Sequence, residues 1–520
     1  MSTVSTTSTP TVSSPAASGR DAAWTLGVVC TAVFMLLLDV TIVAVALADM
    51  RSDLSASLPS LQWVVDAYTL TLAGLLLTAA TLGDRIGRKR VFVAGLALFT
   101  VSSLACALAA DATVLDAFRA IQGIGAALLF GTAVPLLGAA FPTPAGRARA
   151  IGVFGATLAG ATAIGPLVGG ALVSGPGWRW IFLINVPIGV LTLLACLRLR
   201  ESRTPRVQPA DWPGTFLLTA GLFTLLLALI RGNDAGWTSP AIVGLLVATV
   251  ALLGGFVARE LAADHPMLDL RMFARPAFSG VSLSVAAIAG TLVAATYYIA
   301  LYLQNGVGLT PFETGVRVLP LTVASFVAAP VTAVLLRRTG TAAPNVVALV
   351  LAGSGLLLAA RVDATAPWAV LVPGFVVAGV GLGIGSAASI TAALASVEPD
   401  RAGMATGSVN TARQVGTAAG VAALGALFQH TATARAGSAL AALPLPAPMR
   451  TALADGVGSG GGRLVADALP ASAGVDAHAA VTTAAVGATA DALATVLTVG
   501  GVTALALAAV CAVLLWPRAS

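Results

Sequence analysis

Charged side chains set inside long apolar stretches are the residues of this sequence best placed to do chemistry, because a charge in hydrocarbon costs about 2.5 kcal/mol or more unless it is paired or wetted. Four occupy such positions: Asp39 in LLLDVTIVAVAL, Asp66 in WVVDAYTL, Arg119 in RAIQGIGAA and Arg413 in NTARQVGTAAG. A carboxylate there can carry a proton or hold a cation. With a rise of about 1.5 Å per residue, Asp39 lies roughly 13 Å from the outer end of its span if that end is near Ala48, and Asp66 about 8 Å from its own. The two therefore sit at comparable depth on sequential antiparallel helices. The plainer alternatives are a structural role for Asp39 and interfacial water for Asp66. Arg119 stays protonated and needs an acidic or carbonyl partner, for which Asp39 is the natural candidate. Pairing favours the charged carboxylate and burial the neutral one, so a site alternately wet and dry loads and unloads a proton. A static ion pair is the alternative. Arg413 has no intramembrane acid near it in sequence and is expected to contact backbone carbonyls.

Three further groups could move or bind. In GDRIGRKR, Asp84 can cap or salt-bridge while Arg85, Arg88, Lys89 and Arg90 face the cytoplasm; Gly87 breaks the run. Gly152, Gly160, Gly165, Pro166, Gly169 and Gly170 line one apolar segment, where small residues permit close helix approach and the Gly-Pro step favours a hinge over a plain packing helix. Tyr297, Tyr298, Tyr302 and Gln304 offer aromatic and polar surface to a flat cation, although an interfacial aromatic belt is the simpler reading of Tyr302. Cys30, Cys106, Cys196 and Cys511 all lie in apolar segments as small hydrophobes. His265, His430 and His478 are far apart in loops, so neither a disulfide nor a metal set is implied.

These residues need membrane helices to position them. Of the 520 residues, 58% are hydrophobic and 10% charged, with a mean hydropathy of +0.94. Apolar runs long enough to cross about 30 Å of hydrocarbon fall near 24–48, 61–82, 91–110, 114–141, 149–173 and 180–197, then 213–230 and 240–258. The last group lies near 278–303, 315–336, 344–360, 367–394, 404–429 and 491–516. The fold class expected is an all-α membrane protein of about fourteen spans, two six-helix bundles plus two inserted helices.

With the N-terminus in the cytoplasm, basic residues such as Arg85, Arg88, Lys89, Arg147, Arg198, Arg271 and Arg337 fall inside, and fewer, such as Arg51, Arg179 and Arg231, fall outside. Both termini are then cytoplasmic. The net charge of +6 is spread over loops, which speaks against a nucleic-acid surface.

Gly123, Gly125 and Gly160 recur at one offset as Gly379, Gly381 and Gly416, and Pro142 and Gly146, one residue further, as Pro399 and Gly403, a weak internal repeat. The expected divisions are a disordered tail at 1–19, a first bundle at 20–200, two accessory helices at 201–275, and a second bundle at 276–520. That second bundle includes a long outer loop near 431–490. Within it, Ala436 to Leu453 could form a helical hairpin instead of a disordered linker.

The residues resemble the major facilitator superfamily, in its fourteen-helix drug:proton antiporter branch, over nearly the whole length. LDVTIVAVAL is similar to that branch's first-helix motif. ATLGDRIGRK resembles the superfamily loop motif with Ala80 for its opening Gly, and RAIQGIGAA the helix-four motif. The run from Gly152 through GPLVGG resembles the antiporter motif with Ala161 at a usual Gly, and WRWIFLINVPIG is typical of the branch. WVVDAYTL looks most like quaternary-ammonium-compound and methyl-viologen exporters. The middles of the spans from 278 to 429 lack the further acids that some broad-range members carry.

The resemblance implies proton-coupled export of lipophilic, often cationic, drugs across the cytoplasmic membrane. Asp39 and Arg119 would couple protons, and Asp66, Asp39, Tyr297 and Tyr298 would meet substrate. Asp84, Arg85, Gly87, Arg88, Gly165, Pro166, Gly169 and Gly170 would serve switching. The proton gradient would be the energy source, with no cofactor, and a monomer would suffice. An exporter dedicated to one endogenous metabolite is the alternative, and a non-transporting receptor a further one. No loop offers a nucleophile–base set or a phosphate-binding Gly-Lys loop, so an enzyme is not expected.

Overall fold

The computed structural model describes residues 19–54, 58–202, 211–263, 270–363, 368–395, 397, 402–469 and 475–516. The tail expected at 1–19 lies almost wholly outside them. Among the described residues every regular element is helical. The first group is α1 (Gly19–Asp53), α2 (Leu58–Ile86), α3 (Arg88–Ala107), α4 (Ala112–Ala140), α5 (Pro144–Ser174), the one-turn α6 (Trp180–Leu183) and α7 (Asn185–Cys196). Two more, α8 (Trp212–Ala235) and α9 (Pro240–Ala262), precede the short α10 (Arg271–Ala274). The second group is α11 (Pro276–Ile288), α12 (Ala294–Leu301), α13 (Pro311–Thr339), α14 (Ala342–Ala359), α15 (Leu371–Ala395), α16 (Ala402–Leu440), α17 (Ala447–Gly456) and α18 (Val475–Leu515). Most of the apolar segments marked in the sequence lie within a single one of these helices; the segment near 180–197 is divided between α6 and α7, and that near 278–303 between α11 and α12. By length and composition nine helices among the described residues can cross a membrane, or ten if a pair bent within α2 is one span.

Local sequence explains the helix starts. Asp111, Thr143, Asp211, Ser239 and Thr310 each accept a backbone N–H of the first turn, and a proline stands in the first two positions after all but Asp111. Glu313 reciprocates at Thr310 to complete a capping box.

In lipid there is no hydrophobic drive to bring helices together, so contact depends on small residues that let backbones approach. Two of the three repeated glycine pairs do this in matching ways, whereas Gly160 has open space where Gly416 meets the Ala286 backbone. A Cβ on Gly123 would fall 2.4 Å from the Tyr68 carbonyl of α2, and one on Gly379 2.1 Å from the Leu321 carbonyl of α13. A Cβ on Gly125 would lie 2.6 Å from the Phe99 amide of α3, and one on Gly381 2.6 Å from the Ala348 carbonyl of α14. The pairs α4 with α2 and α3, and α15 with α13 and α14, are therefore built alike. Helix α8 lies along the seam between the groups: Leu226 packs with Leu70 and Ala73 of α2 and with Val415 and Ala418 of α16. Helix α9 rests on α8 and turns Val243, Val247, Val250 and Leu261 outward, as a lipid-facing helix does.

Two expectations need correction. The spans near 404–429 and 491–516 are the middles of longer helices, α16 and α18, so the stretch near 431–490 is mostly helical among its described residues. Ala436 to Leu453 forms a helix, a turn and a second helix, and α17 leads into a π turn, Val457–Gly461, and a 3-10 helix, Gly462–Ala468. This cap is tied to the end of the α11–α12 span by Asn305 Nδ2 donating to the Gly460 carbonyl (2.7 Å) and Arg463 Nη1 donating to the Val307 carbonyl (3.2 Å). Gly460 (φ 89°) and Gly462 (φ 52°) turn the chain left-handed there, where a side chain would be strained. The span near 278–303 is also not one regular helix: π turns at Ala289–Val293 and Tyr302–Gly306 interrupt it. The first sits where Gly290 meets Gly416 and Gly420 of α16 backbone to backbone.

Candidate functional site

The apolar faces of α1, α2, α3, α4 and α7 enclose one group of polar side chains. Asp39 is 0% exposed and Arg119 1%. Arg119 Nη1 donates to Asp39 Oδ2 at 2.7 Å and to Gln122 Oε1 at 2.7 Å, and its Nε donates to the Val64 carbonyl at 2.8 Å. The other carboxylate oxygen, Oδ1, accepts from Asn185 Nδ2 (2.9 Å) and Gln122 Nε2 (3.1 Å). Gln122 also donates to Ser103 Oγ at 2.7 Å. The guanidinium stacks on the Tyr68 ring, 4.2 Å from its centroid, and reaches the Phe182 ring at 5.7 Å. The ion pair is thus closed off by neutral amides and aromatic faces, a setting in which losing one charge matters most. Asp39 in this conformation is not open to a ligand.

Sequence reasoning paired Asp39 with Arg119 but did not single out Gln122, Asn185, Ser103 or Tyr68. A signal existed for two of them. Gln122 is three residues past Arg119 on the same helix face, and Asn185 is the polar residue of the apolar run IFLINVPIG. The neighbouring WRW has a structural use: Trp178 Nε1 and Arg179 both bond the Asp53 carboxylate at the end of α1. Those hydrogen bonds, Arg179's first, hold the Asp53 carboxyl below the usual carboxylate range.

Asp66 is half-buried on α2, and its surroundings differ from those its sequence neighbours suggest. Helix α8 brings Arg231 to this end of α2, 4.3 Å above the Trp63 ring. Arg231 and Asp66 both act electrostatically on Asp116 of α4. The cluster is Asp66, Asp116 and Arg231, not an isolated acid. Tyr298 is buried, stacks on Phe428 at 5.5 Å and donates its hydroxyl to the Val421 carbonyl at 2.6 Å, so it is packing. Tyr297 meets it edge-on and is exposed. Arg413 is half-buried and, among the described residues, its guanidinium makes no hydrogen bond or ion pair, so the expected carbonyl contacts are absent.

At the Asp84 end, Arg88 bonds Asp84 Oδ1 through Nε (2.8 Å) and Nη2 (2.7 Å) and reaches the Pro135 carbonyl at 3.5 Å. Gly87 separates α2 from α3 with φ 119°, and a Cβ there would fall 2.6 Å from the Glu201 carboxylate. That carboxylate, beyond α7, accepts from the Lys89 and Arg90 amides and so caps α3. Glu201 had no sequence signal. Arg85 lies beside Asp84 in the last turn of α2. On α5, Gly165 and Gly169 meet α1: Cβ atoms there would fall 1.9 Å from Thr41 Oγ1 and 2.4 Å from Ile42 Cγ2. Gly170 is buried in the same turn, and α5 is continuous through Pro166, whose side chain lies outside the described residues.

A bundle of membrane-length helices with a sealed ion pair between them defines a multi-pass membrane protein of the carrier type. The chain belongs to the Major Facilitator Superfamily, whose family model matches residues 29–421. It is 36% identical over 417 residues to the "Tetracenomycin C resistance and export protein" of Streptomyces glaucescens, covering 80% of this chain and 77% of that one. It is also 36% identical over 400 residues to the "Multidrug resistance protein Stp" of Mycobacterium tuberculosis, covering 76% and 74%. The solved structure of the human organic anion transporter MFSD10 (TETRAN) shares the fold, with TM-score 0.59, 13% identity and 94% and 99% of the two chains covered.

Proposed function

We propose that the chain is a proton-driven exporter of lipophilic, often cationic, small molecules, working by alternating access between a bundle at 20–200 and another at 276–520, with 201–275 as an accessory pair. The observation that carries this reading is the sealed Asp39–Arg119 pair: a carboxylate held by one cation and two amides has a proton-bound alternative that changes the charge of the bundle interior. The names of its relatives, a tetracenomycin exporter and a multidrug resistance protein, support drug export. Asp39 carries the proton and Arg119 holds the unprotonated state. Asp66, with Tyr297, faces the substrate, and Arg231 moderates its negative potential. Both termini are cytoplasmic, the membrane is the cytoplasmic one, and a monomer is the working unit.

The test is ethidium uptake into inverted vesicles under an imposed pH gradient. Uptake that stops when a protonophore collapses the gradient is expected; uptake indifferent to the gradient would overturn proton coupling. A carrier of one compound is the second reading, favoured by the single-compound name of the tetracenomycin relative. Survival of a susceptible host across a panel of unrelated drugs separates the two.

Switching must break the Asp84–Arg88 pair if the ends of α2 and α3 move against the Pro135 region of α4. Charge-assisted hydrogen bonds of this kind contribute about 1.5–3 kcal/mol, so Asp84→Ala makes the return to the paired conformation uphill by that amount and is expected to slow turnover about tenfold while equilibrium drug affinity is kept. Affinity lost at an unchanged turnover rate would move the pair into the binding site.

A further inference from the structure

Arg119 is buried and always charged, so the proposed protonation of Asp39 leaves a guanidinium without its counter-charge between α1 and α4. An uncompensated buried charge is costly enough to block the step unless another acid takes over. One is close by. Asp116 precedes Arg119 by three positions on α4, which places the two side chains as neighbours on one helix face. Its Oδ1 is buried and has no hydrogen-bond partner among the described residues. Arg119 spends its hydrogen bonds through Nε and Nη1, which leaves the Nη2 protons without an acceptor among the described residues.

We infer that Asp116 is the carboxylate to which Arg119 turns when Asp39 takes up the proton. Asp116 is a positioning residue: it gives Arg119 a second acidic partner so that Asp39 can exchange the proton. Three charged groups face it, Arg119 on its own helix, Asp66 on α2 and Arg231 on α8. Around Asp39 the facing titratable or charged groups are Arg119 on α4, Tyr68 on α2 and Cys106 on α3. The proton that neutralises Asp39 frees the guanidinium to swing one helical turn toward Asp116, whose buried Oδ1 can then accept from it. The charge of the pair is conserved, and only its acidic member changes.

The inference rests on proton coupling at Asp39, and two measurements keep the two separate. The first is a thermal-melt cycle on the purified full chain with Asp39→Asn, Asp116→Asn and the double variant. With Asp39 neutralised, Arg119 pairs with Asp116, so the double variant is expected to lose more Tm than the two single losses added. Additive losses would overturn the inference whatever drives transport. The second is the pH dependence of ethidium uptake. Asp116→Asn is expected to move the midpoint about one unit toward acid, a tenfold rise in the proton concentration needed, and Asp116→Glu to restore it. An unmoved midpoint in a variant that still couples would overturn the inference, whereas absence of proton dependence in the wild type would instead sink the coupling assignment.

Discussion

Asp39→Asn is expected to reduce pH-gradient-driven transport to the level of vesicles lacking the protein, with the variant still folded in the membrane. The side chains are nearly the same shape, so the cavity among α1, α4 and α7 is preserved. The hydrogen bonds also have a way to close. The introduced side chain can keep its carbonyl oxygen where Asp39 Oδ1 accepts from Asn185 and Gln122, and its amide nitrogen can donate to Gln122 Oε1, the acceptor that Arg119 leaves on turning to Asp116. What the amide cannot do is bind a proton in the working pH range. Coupling is lost while architecture survives, and the measurement is paired: dye uptake in inverted vesicles, and Tm of the solubilised protein. Proton-driven uptake at wild-type rates would sink the assignment of Asp39. Loss of the folded protein would show that its carboxylate is structural.

How much of this site the sequence discloses follows from what each residue is. Asp39, Arg119, Asp84 and Arg88 stand out because charge is rare in apolar segments or clusters beside glycine at their ends. Gln122 and Asn185 are neutral and are marked only by their places, one turn past Arg119 and inside an apolar run, while nothing in the spacing of Ser103 ranks it above Thr71 or Thr132. Arg231 is remote from Asp66 in sequence, and only the packing of Leu226 against Leu70 and Ala73 brings it there. The all-helical class and the places of the apolar helices follow from hydropathy, but helix length does not. Hydropathy falls beyond residue 429 while the alanine-rich stretch of α16 continues to Leu440, because alanine favours helix whether or not lipid surrounds it. The π turn at Gly290 has its cause in Gly416 and Gly420 on another helix, which no local pattern encodes.

Arg119→Met is expected to destabilise the protein more than any other single change at this site, and in a pH-dependent way. Methionine fills much of the space between the Tyr68 and Phe182 rings, so the loss is chiefly electrostatic. Breaking a buried pair by removing one partner costs about 3–5 kcal/mol, because the remaining charge is left without compensation. Asp39 escapes that cost by taking a proton, and its hydroxyl can then donate to Gln122 Oε1, the acceptor that Arg119 Nη1 vacates. A carboxyl that binds its proton more tightly in the folded than in the unfolded chain makes folding take up protons, so the variant's stability rises as pH falls. The Tm gap between variant and wild type should therefore narrow steadily on acidification. Transport in Arg119→Met should be uncoupled at neutral pH, with Asp39 protonated on both sides of the cycle. The double variant Asp39→Asn/Arg119→Met removes both charges at once and should be more stable at neutral pH than Arg119→Met alone. A gap independent of pH, together with no gain in the double variant, would mean that the cost lies in the lost ring contacts and the Val64 carbonyl bond and not in an unpaired Asp39.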